Sequence, residues 1–242
     1  MKIYKVLAIL LAGILCFGQT VEEIMDKVDA ASGTKAAAEH IQSMMVKGSV
    51  NSSMGMQGSF DMLSKNGGKM LLNTKIKAQG MELEQVQACD GTDCYSKDPM
   101  MGARLLEGQE KELFLLQNDY LQSQDWRTVY PVRRYEGEEE LDGTKVYKVY
   151  LETKEGTTFT NFIDQKTYLV IKSEFKMKGP MGELMISSKL MDYKDVSHGL
   201  MLPMKVETST MGQSMSMTMD EVKVNLEIPE SKFAIPAELK GS

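Results

Sequence analysis

The spacing of apolar residues along this chain changes near residue 43. Before that point apolar side chains recur at helical spacing, and a glycine ends the pattern: Val21, Ile24, Met25, Val28 and Gly33. A second short helix is predicted over 35–42. From residue 43 onward apolar and polar residues alternate, which is the pattern of strands with one buried face.

The alternating segments are separated by turn-forming Gly, Asn and Asp residues. They predict strands at 43–53, 56–65, 69–79, 81–89, 94–98, 127–135, 145–153, 157–164, 167–178, 183–194, 201–209 and 213–228. The region 105–121 has little β-branching and predicts a helix that crosses between two groups of strands. So many antiparallel strands must curl, and helices are the natural cover for the concave face. The expected class is mainly β with helices, an α+β fold.

The first 18 residues have the character of an export signal. Lys2 and Lys5 precede a short apolar stretch, Val6 to Phe17, and cleavage is predicted near Gly18. Cys16 raises the alternative of a lipid-anchored protein, but Leu15 stands where a lipoprotein signal usually has a small residue. Residues 19–242 contain no Pro- or Ser-rich linker, so we expect one domain in a periplasmic space.

Charge and composition exclude several classes of function. The net charge is -6 and the pI about 5.2, which argues against nucleic acid and against electrostatic adhesion to anionic lipid. No stretch of the mature chain is predicted to cross a membrane. His40 and His198 belong to no nucleophile or metal signature, so we predict neither an enzyme nor a cofactor or metal site. The acidic run 136–140 is predicted to be a solvated loop.

The two cysteines of the mature chain bracket a turn. Cys89 and Cys94 flank Asp90-Gly91-Thr92-Asp93, so they face each other if the adjoining strands pair. An oxidising compartment then favours a disulfide worth roughly 2 kcal/mol. A redox-active role is disfavoured because the spacing is not Cys-x-x-Cys.

The order of these segments resembles the periplasmic lipoprotein-carrier superfamily, the outer-membrane lipoprotein-sorting proteins and their relatives that carry other lipids. The resembling pieces are Ala30-Ala31-Ser32-Gly33, Ile41 to Gly48, Cys89-Asp90-Gly91 with Tyr95 and Pro99, Leu141-Asp142-Gly143 with Tyr147, Phe162-Ile163-Asp164, Tyr193 to Gly199 with Leu202-Pro203, and Ile228-Pro229 with Phe233 and Pro236. The resemblance implies an incomplete β-barrel around helices, with an apolar cavity for acyl chains. It also implies lipid or lipoprotein cargo, an inner-membrane release complex and an outer-membrane acceptor.

Methionine is unusually frequent, at 21 residues. Met215, Met217 and Met219 alternate with hydroxyl residues and therefore share one face of a strand. Their flexible thioethers suit an adaptable cavity wall for acyl chains. The alternatives are ordinary core packing and binding of Cu(I) through soft sulfur ligands.

Methionine also occurs in turns, where it is not a usual residue. We hypothesise an apolar rim for lipid entry or membrane contact, formed by Met54, Met56, Met81, Met181 and Met211. In each half of the chain these turns lie at one end of the strands. Whether the two ends coincide depends on the crossover, which the pattern does not determine. The predicted function is an acyl-chain carrier; the alternatives are a Cu(I)-binding protein or a structural domain.

Overall fold

The computed structural model describes residues 19–78, 80–99, 101–116, 125–179 and 182–239. The predicted signal segment, 1–18, and one predicted rim residue, Met181, lie outside this part of the chain.

Four helices and one thirteen-stranded antiparallel sheet make up the described fold. The helices are α1 (Val21–Ser32), α2 (Thr34–Ala38), α3 (Gly108–Leu116) and α4 (Trp126–Val129). The strands are β1 (Ser43–Ser52), β2 (Gln57–Lys65), β3 (Lys69–Ala78), β4 (Met81–Asp90), β5 (Cys94–Asp98), β6 (Gly102–Leu105), β7 (Val132–Leu141), β8 (Thr144–Glu152), β9 (Thr158–Asp164), β10 (Val170–Gly179), β11 (Gly182–Ser197), β12 (Leu200–Thr210) and β13 (Gln213–Val224). Two short 3-10 helices follow, Glu230–Phe233 and Ala237–Leu239.

The sheet consists of two meanders, β1–β6 and β7–β13, which are joined by the pairing of β1 with β13. Its order is β6-β5-β4-β3-β2-β1-β13-β12-β11-β10-β9-β8-β7, so β1 pairs with β13, and β6 and β7 are the edges. The chain passes between those edges, and α3 and α4 lie in this connection. The predicted mainly-β class with an open, antiparallel sheet is confirmed.

Three sequence predictions were wrong in detail. The segment 127–135 starts as helix α4, because the Asp125 side chain accepts a hydrogen bond from Arg127 N and caps it. The acidic run 136–140 lies within β7 rather than in a loop. The last strand ends at Val224 instead of residue 228, and Asn225 has a positive φ of 57° there.

The acidic run has a structural reason to be in an edge strand. β7 has one neighbour, and the register shifts between Tyr135 and Gly137. Charged side chains and a bulge both discourage an exposed edge from pairing with another chain. The carboxylates therefore protect this edge against aggregation.

Helix α3 shows that the sheet is curved. Phe114 packs with Met70 and Cys89 of β3 and β4, while Glu112 accepts hydrogen bonds from the turn between β8 and β9. In a flat sheet β3 and β9 would lie roughly 30 Å apart, yet this nine-residue helix is only about 13 Å long. The two halves must therefore curl toward each other around α3.

The inner face of the sheet is the one that α1 and α2 contact. Ile24 and Met25 of α1 pack on Val149 and Leu151, and Ala37 of α2 belongs to the cluster around β1, β2 and β12. The start of α1 is held by a capping box between Thr20 and Glu23. The helices therefore cover the inner face at β8 and β9 and part of the centre of the sheet.

The C-terminal segment covers part of the opposite, outer face. Ile235 packs with Ala88 and Tyr95. Glu230 binds the Nζ atoms of Lys65 and Lys69, both at 2.6 Å. Hydrogen bonds from these two lysines lower the pKa of Glu230 to about 2.

Candidate functional site

The strand registers place three rows of side chains across the inner face. Antiparallel partners share a face, so the pairings show which side chains are neighbours. One row is apolar and continues from β1 to β11: Val50, Met217, Val206 and Leu190. Met217 therefore lies between Val50 and Val206 at the centre of the sheet.

The second row is polar apart from one methionine. From β13 to β9 it consists of Met215, Thr208, Ser188, Ser173 and Asn161. The Ser188 and Thr208 hydroxyls lie 3.1 Å apart and the Ser173 hydroxyl donates to Asn161 Oδ1 at 2.7 Å. These polar groups bond one another across the strands, so they are partly satisfied without water.

The third row is apolar and aromatic. Ile186 pairs with Phe175, which pairs with Phe159, and Phe159 opposes Leu151. The rings of Phe159 and Phe175 are 5.8 Å apart between centroids. Tyr130 meets Phe159 edge to face at 5.9 Å.

Burial divides this face into a covered and a partly open region. Val50 and Leu151 are buried beneath the helices. Met217, Val206, Ile186, Phe175 and Phe159 are only half-buried, and Met215 is 36% exposed. The described inner face thus carries two apolar rows, separated by the polar row, that its own helices leave partly open.

The three methionines proposed as a cavity wall all lie on this face. Met215 opposes Ser52 and Met219 opposes Gly48 of β1. Met217 and Met219 pack against the buried central cluster, whereas Met215 is more exposed. They line the boundary between the core and the open apolar surface, so core packing and a role as cavity wall both fit their positions.

The pairing of β1 with β13 answers the question of the crossover. Ser52 opposes Met215, so the β1–β2 and β12–β13 turns lie at the same end of the sheet. Ser53 N donates to Ser214 O at 2.8 Å, and Ser214 N donates to the Ser53 hydroxyl at 3.0 Å. The turns bearing Met54 and Met211 are therefore bonded to each other.

We call this the methionine end of the sheet. Met54, Met81 and Met211 are 62%, 62% and 74% exposed, and Met56 is half-buried. Met101, which the sequence analysis missed, lies at the same end in the β5–β6 turn and is 66% exposed. The methionine rim is defined here as these five residues.

Cys89 and Cys94 are opposed in β4 and β5 and form a disulfide. Both are buried beside Phe114 of α3. The disulfide joins the hairpin on which α3 rests, at the end of the sheet opposite the methionine rim.

Helix α3 is held to the other half of the molecule by one carboxylate. Glu112 accepts hydrogen bonds from the hydroxyls of Thr153 and Thr157, at 2.8 and 2.6 Å. Thr153 and Thr157 are buried. Sequence reasoning missed this contact because no local pattern links residues more than 40 positions apart.

A tyrosine cluster holds α1 to β8 and the β9–β10 turn. Burial, followed by a hydrogen bond with Tyr168, raises the pKa of Tyr147 to about 12. Hydrogen bonds from Gln19 and Lys27 lower the pKa of Tyr168. The ammonium group of Lys27 also lies 4.8 Å from the Tyr168 ring centroid.

Other features of the described residues offer no competing site. A shallow outer-face depression of about 390 Å³ is lined by charged groups, including Lys75, Lys77 and Glu82, which do not suit acyl chains. No cluster of three or more His, Cys, Asp or Glu residues in the described ranges could hold a metal ion. None of the described helices is long and apolar enough to cross a membrane.

The fold and this face define a class: an open, curled antiparallel sheet with helices on its concave side. Solved structures share it. A LolA superfamily protein from Nitrosomonas europaea is 15% identical, with a TM-score of 0.58 over 90% of this chain and 99% of that one. A DUF1329 family protein from Desulfovibrio piger is 13% identical, with a TM-score of 0.60 over 87% and 97%.

A third structure is named for outer membrane lipoprotein sorting. This domain, from Vibrio parahaemolyticus, is 12% identical, with a TM-score of 0.57 over 87% of this chain and 94% of that one. No protein-family model and no curated protein sequence match the chain. The chain therefore shares its fold with these structures, which confirms the resemblance at the level of fold.

Proposed function

We propose that this protein is an exported, non-catalytic carrier that shields the acyl chains of a lipid or lipoprotein on the inner face of its sheet. The observation that carries the proposal is the half-buried apolar surface containing Met217, Ile186 and Phe175. The shared fold with lipoprotein-sorting domains supports it.

The energetics of acyl chains favour such a surface. Each methylene exposed to water costs about 0.8 kcal/mol, so a carrier must cover most of a chain while it crosses an aqueous space. Release requires that the affinity be distributed over many weak contacts. Methionine supplies adaptable contacts of this kind, and Met215, Met217 and Met219 lie at the edge of the open surface.

The polar row has a role in the same proposal. Thr208, Ser188, Ser173 and Asn161 cross the apolar surface, and neighbouring side chains bond one another. Their hydrogen bonds lower the cost of placing polar groups beside acyl chains. The row can also meet the ester groups of a lipid, which accept hydrogen bonds.

The signal segment and the disulfide support a periplasmic location for this carrier. Residues 1–18 have the pattern of a cleaved signal peptide, and a disulfide persists in an oxidising compartment such as the periplasm. The cargo would come from an inner-membrane release complex and pass to an outer-membrane acceptor.

Native mass spectrometry of the protein purified from a periplasm is the first test. We expect acylated species that organic extraction releases and identifies. An empty protein that also takes up no fluorescent fatty acid would overturn the proposal. Bound copper without lipid would instead favour the soft-metal alternative.

Adjacent residues on opposite faces of β11 provide a matched pair of variants. Ile186 faces inward, whereas Met185 faces outward and is 54% exposed. We expect Ile186→Asp to weaken fatty-acid binding by roughly tenfold or more, and Met185→Asp to leave it unchanged. Equal affinities for the two variants would show that the acyl chains do not use the inner face.

A further inference from the structure

Exposed apolar side chains are concentrated at the methionine end of the sheet. Among the described residues, the large exposed apolar side chains at or near this end are Met54, Met81, Leu83, Met101, Val132, Met185, Met211 and Met215. Only Leu226, at 37% exposure, lies at the other end. Scattered single apolar residues need no explanation, but a concentration at one end indicates an interaction surface.

The two ends also differ in charge. The chain has no charged residue from 50 to 58 or from 208 to 219, the segments that form the bonded turns of the methionine rim. In or next to turns at the opposite end lie Asp90, Asp93, Asp142 and Asp164. At the methionine end the turn between β8 and β9 contains Lys154 and Glu155, and Glu82 and Asp98 lie beside the turns of Met81 and Met101, so the uncharged part of this end is the pair of bonded turns that carry Met54 and Met211.

Met211 occupies a backbone conformation that methionine rarely adopts. Its φ is 49° and that of Gly212 is 78°, the pattern of a type I′ hairpin turn. Asp142 and Gly143 adopt the same geometry at the opposite end, with φ of 49° and 82°. Asn or Asp is the preferred first residue of this turn, so methionine at position 211 is less favourable for local stability than either would be.

We propose that the methionine rim docks on a lipid bilayer and inserts its thioether side chains at the boundary between headgroups and acyl chains. This inference rests on the proposed function, because docking would bring the open inner face to the source of its cargo. The uncharged turns that carry Met54 and Met211 lose little hydration when they enter this boundary. The rim lets an acidic protein bind a membrane without electrostatic attraction.

A bilayer fits this surface better than a second copy of the chain. Met54, Met81, Met101 and Met211 are exposed side chains in or beside four different turns. Flexible side chains on separate tips can each enter a fluid phase. A protein partner would need a matching set of separate pockets.

Flotation with phosphatidylcholine vesicles tests the proposal directly. We expect the mature wild-type protein to float with these vesicles equally well at 0.1 and 0.5 M salt, because charge is not the attraction. The double variant Met54→Ser/Met211→Asn should bind at least about tenfold more weakly. Leu226→Ser, at the opposite end, should bind as wild type does.

Stability measurements separate docking from folding. Met211→Asn places a preferred residue in the type I′ turn, so its Tm should rise by about 2–5 °C while its vesicle binding falls. Unchanged vesicle binding by Met211→Asn and by the double variant would overturn the proposal. Binding that is confined to anionic vesicles and lost in high salt would also overturn it. The same holds if the rim variants change only the self-association of the protein.

Fatty-acid uptake in vesicle-free solution distinguishes the two proposals. The rim variants should retain it, because the inner-face rows are unaltered. Uptake without any vesicle binding would refute the rim as a docking surface and leave the carrier proposal standing. If the wild-type protein shows neither fatty-acid uptake nor vesicle binding, the carrier proposal and the docking proposal are both refuted.

Discussion

Gly33 makes a close contact between the N-terminal helices and the β11–β12 turn, and we predict that Gly33→Ala partly detaches the helices. Gly33 ends α1 with a φ of 68°, and its N–H donates to Asp29 O. A Cβ at this position would lie 2.0 Å from the Gly199 carbonyl oxygen and 2.6 Å from its carbon. Both contacts are to backbone, so no side-chain rotation relieves them.

The expected loss has two parts. A left-handed conformation costs alanine roughly 1–2 kcal/mol relative to glycine, and overpacking against rigid atoms typically costs about 1–3 kcal/mol more. We therefore expect the free energy of unfolding to fall by about 2–5 kcal/mol. Gly199→Ala is the control, because Gly199 has a φ of 80° but nothing within 4 Å of its Cβ position.

Urea denaturation, followed by circular dichroism, measures the loss in the free energy of unfolding for Gly33→Ala and for Gly199→Ala. The fluorescence of Trp126, the single tryptophan, reports the helices separately, because Trp126 packs with Ile24 and Met25 of α1. Gly33→Ala should shift its emission to the red in native buffer, and Gly199→Ala should not. Equal stability losses for the two variants would refute the role assigned to the Gly33 contact.

Three other contacts give independent predictions. Replacing Cys89 and Cys94 with alanine should lower the free energy of unfolding by roughly 2 kcal/mol in urea, chiefly through the unfolded chain; no change would contradict this. The pKa of Glu230, about 2, should rise toward 4.5 in Lys69→Met when followed by NMR. Because folding lowers this pKa, its stabilising effect should be complete above pH 4.5 and disappear as the pH falls to about 2; an unshifted titration in Lys69→Met would contradict the assignment. Glu112→Ala should cost about 2 kcal/mol by leaving two buried hydroxyls without their acceptor, whereas an unchanged urea midpoint would show that the contact is dispensable.

Period-two alternation was enough to predict most strands because each strand has one buried face and one more solvent-exposed face. Met44, Val46 and Val50 alternate with polar or less buried positions along β1, for example. The turn formers between strands then determined the meander order. The predicted disulfide followed from the same reasoning, because a short turn requires Cys89 to oppose Cys94.

What the sequence could not supply were contacts between distant segments. The Glu112 contact and the packing of Gly33 on Gly199 join residues that no local pattern relates. The helical start at Trp126 was missed because one capping aspartate outweighed an alternating pattern. The pairing of β1 with β13 brings the methionine-bearing turns of the two halves to the same end of the sheet. Nothing in the turns themselves predicts this pairing.

The two ends of the sheet are suited to different tasks. At one end the contact of Gly33 with Gly199 and the buried disulfide hold helices against the inner face. At the other end the turns bearing Met54 and Met211 are exposed and uncharged, and Ile186 and Phe175 lie only a few residues from the start of β11 and the end of β10. A chain folded only for stability would gain by placing Asp or Asn in a turn such as that of Met211. We expect the proposed carrier to exchange its ligand through this second end, where Met54, Met81 and Met211 are exposed.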